Sequence, residues 1–159
     1  MTTETYTETE AGYMRAAIAA SRAARQAGNM PFGAALVRDG QMLHVAGNDQ
    51  VSTGDCTGHA EVALIRQAVQ RLGADALRGA TVYASGEPCA MCAGAMFWAG
   101  ITRVVWAAST PDIEEALGGP SLPARCADVL AAARPPVAVS GPLLRDEARA
   151  ELRLPGSPC

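Results

Sequence analysis

Apolar residues along this chain recur with two different periods, and the changes between them mark the elements. Thr7 to Glu10 has the form of a capping box, a threonine N-cap with glutamate three residues on. Behind it Tyr13, Ala17, Ala20 and Ala24 fall on one helical face, and Gly28 closes the pattern. The period then shortens. Phe32–Val37 and Met42–Ala46 flank Asp39-Gly40, the sequence signal of a β-hairpin. A polar loop from Gly47 to Gly58 leads to a second helix predicted over His59–Leu72 and ended by Gly73. Thr81–Ala84 is a short apolar run of the kind that forms a buried strand, broken by Gly86-Glu87-Pro88. A helix is predicted from Cys89 to about Ala99, then a strand over Thr102–Ala107. Strand, helix, strand in that order is a βαβ unit, whose crossover joins parallel strands.

The Pro- and Gly-rich stretch 118–123 is predicted as a surface loop. A short helix over Cys126–Ala133, a strand over Val137–Val139 and a last helix over Leu143–Leu152 complete the pattern. The expected fold is a three-layer α/β/α sandwich around a mixed five-stranded sheet, with residues 1–159 forming one domain.

Composition narrows the classes of function. At 159 residues, 49% hydrophobic and 18% charged, the chain is outside the disordered range. It has no apolar run of the ~18 residues that a membrane span needs, and its first ten residues are polar and acidic, unlike a signal peptide. A cytoplasmic globular protein is expected. The formal net charge is −3, and the 13 basic residues are all arginines, scattered rather than clustered. Proteins that grip a nucleic-acid backbone carry a basic stripe, so a polynucleotide partner is disfavoured.

Five cysteines and two histidines are few enough for their spacing to matter. Cys89 and Cys92 form a Cys-x-x-Cys at a predicted helix start, where exposed N–H groups favour thiolates. By itself the pair leaves a metal site, a redox pair and coincidence all open. His59-Ala60-Glu61, also at a predicted helix start, favours the metal. One imidazole and two thiolates suit Zn²⁺, and three protein ligands leave the fourth tetrahedral position for water, as in catalytic sites. A closed structural site would need a fourth ligand, for which Cys56 is the nearby candidate. A carboxylate such as Glu61 beside that water can take its proton and pass it on. The plain alternative for Glu61 is a solvated first-turn glutamate.

His59-Ala60-Glu61 followed by Pro88-Cys89-Ala90-Met91-Cys92 resembles the H-x-E…P-C-x-x-C signature of the zinc-dependent nucleoside and nucleobase deaminases. The resemblance runs from about residue 11 to residue 107 and more faintly beyond. It implies a cytidine deaminase-like fold, Zn²⁺ held by His59, Cys89 and Cys92, and Glu61 as proton shuttle. It also implies a hydrolytic reaction in which zinc-activated water displaces ammonia, backbone groups near Ala60 and Cys89 around the reacting atoms, and a homodimer.

Within that family, Met30–Ala34 resembles the Pro-Phe-Gly-Ala of bacterial guanine deaminases. Ala93–Ala99 resembles both the guanine and the tRNA adenosine branches. Asn48 falls where a base-binding asparagine is placed, with a turn asparagine as its plain alternative. The tail from Pro135 on has no aromatic residue, unlike the aromatic-rich tail of guanine deaminases. Asp112 is either a contact for an exocyclic amine or the cap of the helix that starts beside it. Phe32 and Trp98 are the expected pocket walls. Three functions compete: deamination of a free nucleobase or analogue (guanine, cytosine or an aminotriazine-like ring), tRNA-specific adenosine deamination, and a non-catalytic zinc-stabilised scaffold. Intact Glu61 argues against the scaffold.

Overall fold

The computed structural model describes residues 4–156. Its elements are α1 (Glu8–Gln26), β1 (Gly33–Arg38), β2 (Gln41–Gly47), α2 (Gln50–Thr53), α3 (Ala60–Leu72), β3 (Thr81–Gly86), α4 (Ala90–Ala99), β4 (Arg103–Ala108), α5 (Thr110–Leu117), α6 (Cys126–Leu130), β5 (Ala138–Ser140) and α7 (Arg145–Arg149). A 3-10 turn over Ala74–Leu77 joins α3 to β3.

The expected capping box is present: Thr7 Oγ1 accepts from Glu10 N, and Thr7 N donates to Glu10 Oε2. The buried stripe of α1 is Ala11, Met14, Ala17, Ile18, Ser21 and Ala24, rotated from the expected one so that Tyr13 sits at its margin. There the Tyr13 hydroxyl donates to Gly40 O in the hairpin turn at 2.8 Å. Met14 is completely buried, and burying a side chain of that size is worth about 1.5–3 kcal/mol.

The sheet order is β2-β1-β3-β4-β5. β1 pairs antiparallel with β2 and β3, whereas β3, β4 and β5 run parallel, so the sheet is mixed and five-stranded as expected. Strand residues alternate between two cores. Ala34, Leu36, Val82, Ala84 and Val104 pack under α3, α4 and α6. Ala35, Val37, Tyr83, Val105 and Ala107 pack under α1 and the α7 region. Helices on both faces complete the three-layer α/β/α sandwich.

This topology gathers the site. Because β1 runs against β3, the start of β1 lies beside the end of β3, with Ala34 opposite Ala84. The end of β4 is level with it, Gly86 opposite Ala108. Three connections therefore open at the carboxyl ends of the parallel strands, where α/β folds bind ligands.

Among the described residues, no helix is long and apolar enough to cross a membrane.

Candidate active site

His59 and Cys89 hold equivalent posts. Each is the residue before a helix, α3 and α4 respectively, with extended backbone (ψ 155° and 174°), and neither side chain caps its own helix. A serine or aspartate there would fold back onto the first-turn N–H groups. Imidazole and thiol instead turn toward one another. Cys92 is one turn into α4 and completely buried.

His59 Nδ1 lies 3.6 Å from Cys89 Sγ and 3.6 Å from Cys92 Sγ. The three donor atoms all fall within 4.8 Å of one another. A Zn–S bond of ~2.3 Å and a Zn–N bond of ~2.05 Å meeting at the tetrahedral angle separate sulfur and nitrogen by about 3.6 Å. The donor set and its spacing fit a zinc ion. Cys56 is not in this cluster: it is exposed and lines the neighbouring cavity instead. Among the described residues no fourth ligand joins these three, which leaves the open coordination position of a catalytic centre.

The electrostatics agree with this fit. Hydrogen bonds from Cys92 and then His59 hold the Cys89 thiol down at about 4, against the burial that opposes ionisation. Cys92 moves the other way, raised by its bond to Cys89 and by burial. The sulfur pair thus holds one proton where a divalent cation would displace it. His59 is raised by its bond to Cys89. Glu61 is 5% exposed, and burial raises its carboxyl above the ordinary glutamate range. As the second residue of α3 it shares a helical turn with His59.

Beside these groups is a cavity of about 570 Å³. Of the residues expected at the site, it brings together Phe32, Asn48, His59, Glu61 and Cys89. Ala60 is fully buried and outside the lining. As the first residue of α3 it carries an N–H without an intrahelical acceptor. Gly86 forms the floor beneath Phe32. A Cβ there would sit 2.8 Å from the Phe32 ring and 3.0 Å from Ile113.

Two expectations are corrected. Trp98 is not a pocket wall: it is 84% exposed on the outer side of α4 and absent from the lining. Asp112 does not face the cavity either. Its Oδ2 accepts from Ser109 N and Arg145 Nε (3.0 and 2.9 Å), and its Oδ1 from Arg145 Nη2 (2.7 Å). The capping role is the one the structure displays, as a Ser109–Asp112 box at the start of α5.

The Arg145 guanidinium, bonded to Asp112, holds this carboxyl well below the usual carboxylate range. Its contribution to stability is therefore complete above the ordinary aspartate pKa of ~3.9 and lost as pH falls further. Asp112→Asn is expected to cost up to about 1 kcal/mol at pH 7, because the Arg145 side of the pair is half exposed and screened by solvent. In urea titrations the gap to wild type should narrow below about pH 4. Equal stabilities at pH 7 would contradict the assignment.

Several cavity residues were not anticipated. Ile113 and Leu117, an i, i+4 pair on α5, form one wall. Met30, Gln50 and Met91 complete much of the rest. The helical spacing of Ile113 and Leu117 was a readable signal, but the sequence did not say which layer that stripe would face.

The fold and site define a zinc-binding deaminase domain. Residues 7–108 match the cytidine and deoxycytidylate deaminase zinc-binding region, and the chain belongs to this family. It is 35% identical over 152 residues to a probable cytosine deaminase of Schizosaccharomyces pombe, covering 93% of each chain. It is 44% identical over 86 residues to the guanine deaminase of Bacillus subtilis, covering 54% of this chain and 55% of that protein. It is 40% identical over 99 residues to the tRNA-specific adenosine deaminase of Agrobacterium fabrum, covering 62% and 65%. Among solved structures, the guanine deaminase of Nitrosomonas europaea superposes with a TM-score of 0.77 at 27% identity, over 89% of this chain and 81% of that one. A structure from a study of A-to-I editing by tRNA:A34 deaminases gives 0.74 at 32% identity, over 89% and 99%.

Proposed function

We propose that the protein deaminates a free nucleobase or a closely related amino-heterocycle by hydrolysis, with guanine, cytosine and aminotriazine-like rings as the candidate substrates. The observation that carries this reading is the chemistry of the cavity wall. Phe32, Ile113, Leu117 and Met30 offer flat apolar contact, and the charged side chains of the lining are Glu61, Glu87 and Glu114, with no arginine among them. Apart from the proposed metal ion, a phosphate-bearing ligand would meet Glu61, Glu114 and a Glu87 already paired with Arg125, with no cationic side chain in the lining to hold it. A neutral ring is what such a wall accepts.

The net reaction exchanges the ring amine for a carbonyl, with water consumed and ammonia released. His59, Cys89 and Cys92 are the proposed zinc ligands, and zinc bound there supplies a Lewis acid and a water acidified toward neutrality. Glu61 takes the proton of the attacking water and gives it to the ring nitrogen beside the amine-bearing carbon. It then carries a second proton to the departing amine. Its buried carboxyl is raised above the ordinary glutamate range by burial, which suits a group that must give back a proton as well as take one. Phe32 is the proposed stacking face and Asn48 the proposed reader of the base edge, with the free Ala60 N–H proposed as a donor to the reacting atoms.

Screening ammonia release over guanine, cytosine, adenine, their nucleosides and aminotriazines tests this reading. Turnover of one or more free bases is expected, and turnover of a tRNA anticodon stem-loop alone would overturn it. Deamination of tRNA adenosine is the second reading, supported by the 99% coverage of the A-to-I editing structure.

We also propose that the protein pairs with a second copy through α4. That helix contains no charged residue, and it presents Trp98 and Met91 outward. Met91 also lines the cavity, so a partner seated on α4 would approach the mouth of the site. Trp98→Glu is expected to weaken association by about 30-fold or more in sedimentation equilibrium, the equivalent of ~2 kcal/mol for a central aromatic anchor. A dimer of undiminished strength would place the interface elsewhere.

A further inference from the structure

We infer that Gln50 is a positioning residue, fixing the amide of Asn48 so that an N–H of Asn48 is held ready for a ring carbonyl of the substrate. This rests on the nucleobase reading above and deepens it, from a neutral ring to a ring that carries an acceptor at a defined edge.

The orientation of Asn48 follows from one bond. Gln50 N donates to the Asn48 side chain at 3.1 Å, and a backbone N–H can only donate, so the atom it meets is Oδ1. The other end of the amide is then Nδ2, which donates to Gln50 Oε1 at 2.7 Å. With its oxygen committed, Gln50 presents Nε2 to the Cys56 carbonyl, a longer contact of 3.5 Å. The direction of donation is thus the same along the whole relay, from Gln50 through Asn48 and back, and it gives Asn48 no freedom to flip.

Asn48 is itself 3% exposed, and its backbone N donates to Phe32 O at 2.9 Å, tying it to the proposed stacking residue. Of its two amide hydrogens one goes to Gln50, which leaves the second for a ligand in the cavity that both residues line. Gln50 is held in turn. It opens α2, a helix of four residues, and the buried Asn29 accepts from Val51 N and Ser52 N at 3.0 Å each. A polar group held by its neighbours before the ligand arrives is what gives a site its selectivity. A site built to hydrogen-bond a substrate group rejects the analogue that lacks it far better than an apolar pocket rejects an extra methylene.

The test uses the zinc-loaded full chain and two substrate pairs, each differing by the ring carbonyl: cytosine against 4-aminopyrimidine, and guanine against 2-aminopurine. Wild type is expected to prefer the carbonyl-bearing member of whichever pair it turns over, by at least about 10²-fold in kcat/KM. Gln50→Leu should reduce that preference by roughly tenfold, through a higher KM for the carbonyl-bearing base with kcat little changed. Gln50→Glu should retain the preference, because a carboxylate oxygen accepts the same Asn48 N–H. Asn48→Ala should abolish it. An unchanged preference in Gln50→Leu would overturn the inference, and so would equal losses in Gln50→Leu and Gln50→Glu, which would mark Gln50 as packing only. Those results require turnover by wild type. If wild type releases ammonia from none of the four bases and from no aminotriazine, it is the nucleobase reading that has failed; turnover of a carbonyl-free aminotriazine alone would overturn the inference. If Gln50→Leu does not fold, Gln50→Glu against Asn48→Ala still decides.

Discussion

Glu61→Gln is expected to lower kcat for deamination by about 10²–10⁴-fold, the usual worth of a positioned acid-base group, with KM changed by less than about threefold. The split follows from what the side chain touches. Glutamine has the shape of glutamate and leaves the cavity wall intact, so binding of the ring survives. What disappears is the ability to take a proton from water and return it to the ring nitrogen and the amine.

The same substitution has an informative effect on stability. Burial raises the Glu61 carboxyl. A group raised in the folded state adds stability only below its unfolded pKa and loses that advantage as pH rises through the folded one. At pH 7, above the ordinary glutamate pKa, burial of this carboxyl is therefore a cost to the metal-free fold, and Glu61→Gln should melt no lower than wild type under chelator. A variant inactive only because it is unfolded would contradict this account, as would one retaining more than a tenth of wild-type kcat.

Loss of a sulfur ligand is the second large effect. Cys92→Ser is expected to abolish zinc retention through dialysis and to leave turnover at background. A serine hydroxyl does not ionise near neutrality and is a hard, neutral donor where zinc is held by a soft thiolate, and Cys92 is fully buried. The intact site should also release metal with acid. Its ligands must shed protons to bind, so protons compete with the ion. The imidazole of metal-free His59 is raised by its bond to Cys89, so that competition begins above the ordinary histidine pKa of ~6.5. Transfer of zinc to a chromogenic chelator should accelerate as pH drops from 8 to 6. A pH-independent transfer, or full turnover by Cys92→Ser, would contradict the ligand assignment.

The legible parts of this chain were those where local chemistry and tertiary packing agree. The Thr7–Glu10 box, the Asp39-Gly40 turn and the βαβ pattern over residues 81–107 each satisfy their own backbone, and each is present in the fold. His59, Cys89 and Cys92 converge because two helix starts converge. That meeting is a consequence of strand order, so residue spacing alone could indicate it but not establish it.

The illegible parts depend on distant partners. α2 lies inside a loop with no apolar period and is held by Asn29 from the α1–β1 connection. Asp112 left two roles open because its deciding partner, Arg145, lies 33 residues along the chain. Trp98 was misplaced for a different reason. The segment Ala90–Ala99 is apolar on every side, so no periodicity distinguishes the face over the core from the face open to solvent.

X-ray absorption at the zinc edge, on protein purified without added metal, tests the central claim most directly. One zinc per chain is expected, with two sulfur scatterers at ~2.3 Å and nitrogen or oxygen at ~2.0–2.1 Å completing four-coordination. A metal-free chain would contradict the account. So would a third sulfur in the first shell, because Cys56 would then close the position from which water has to attack.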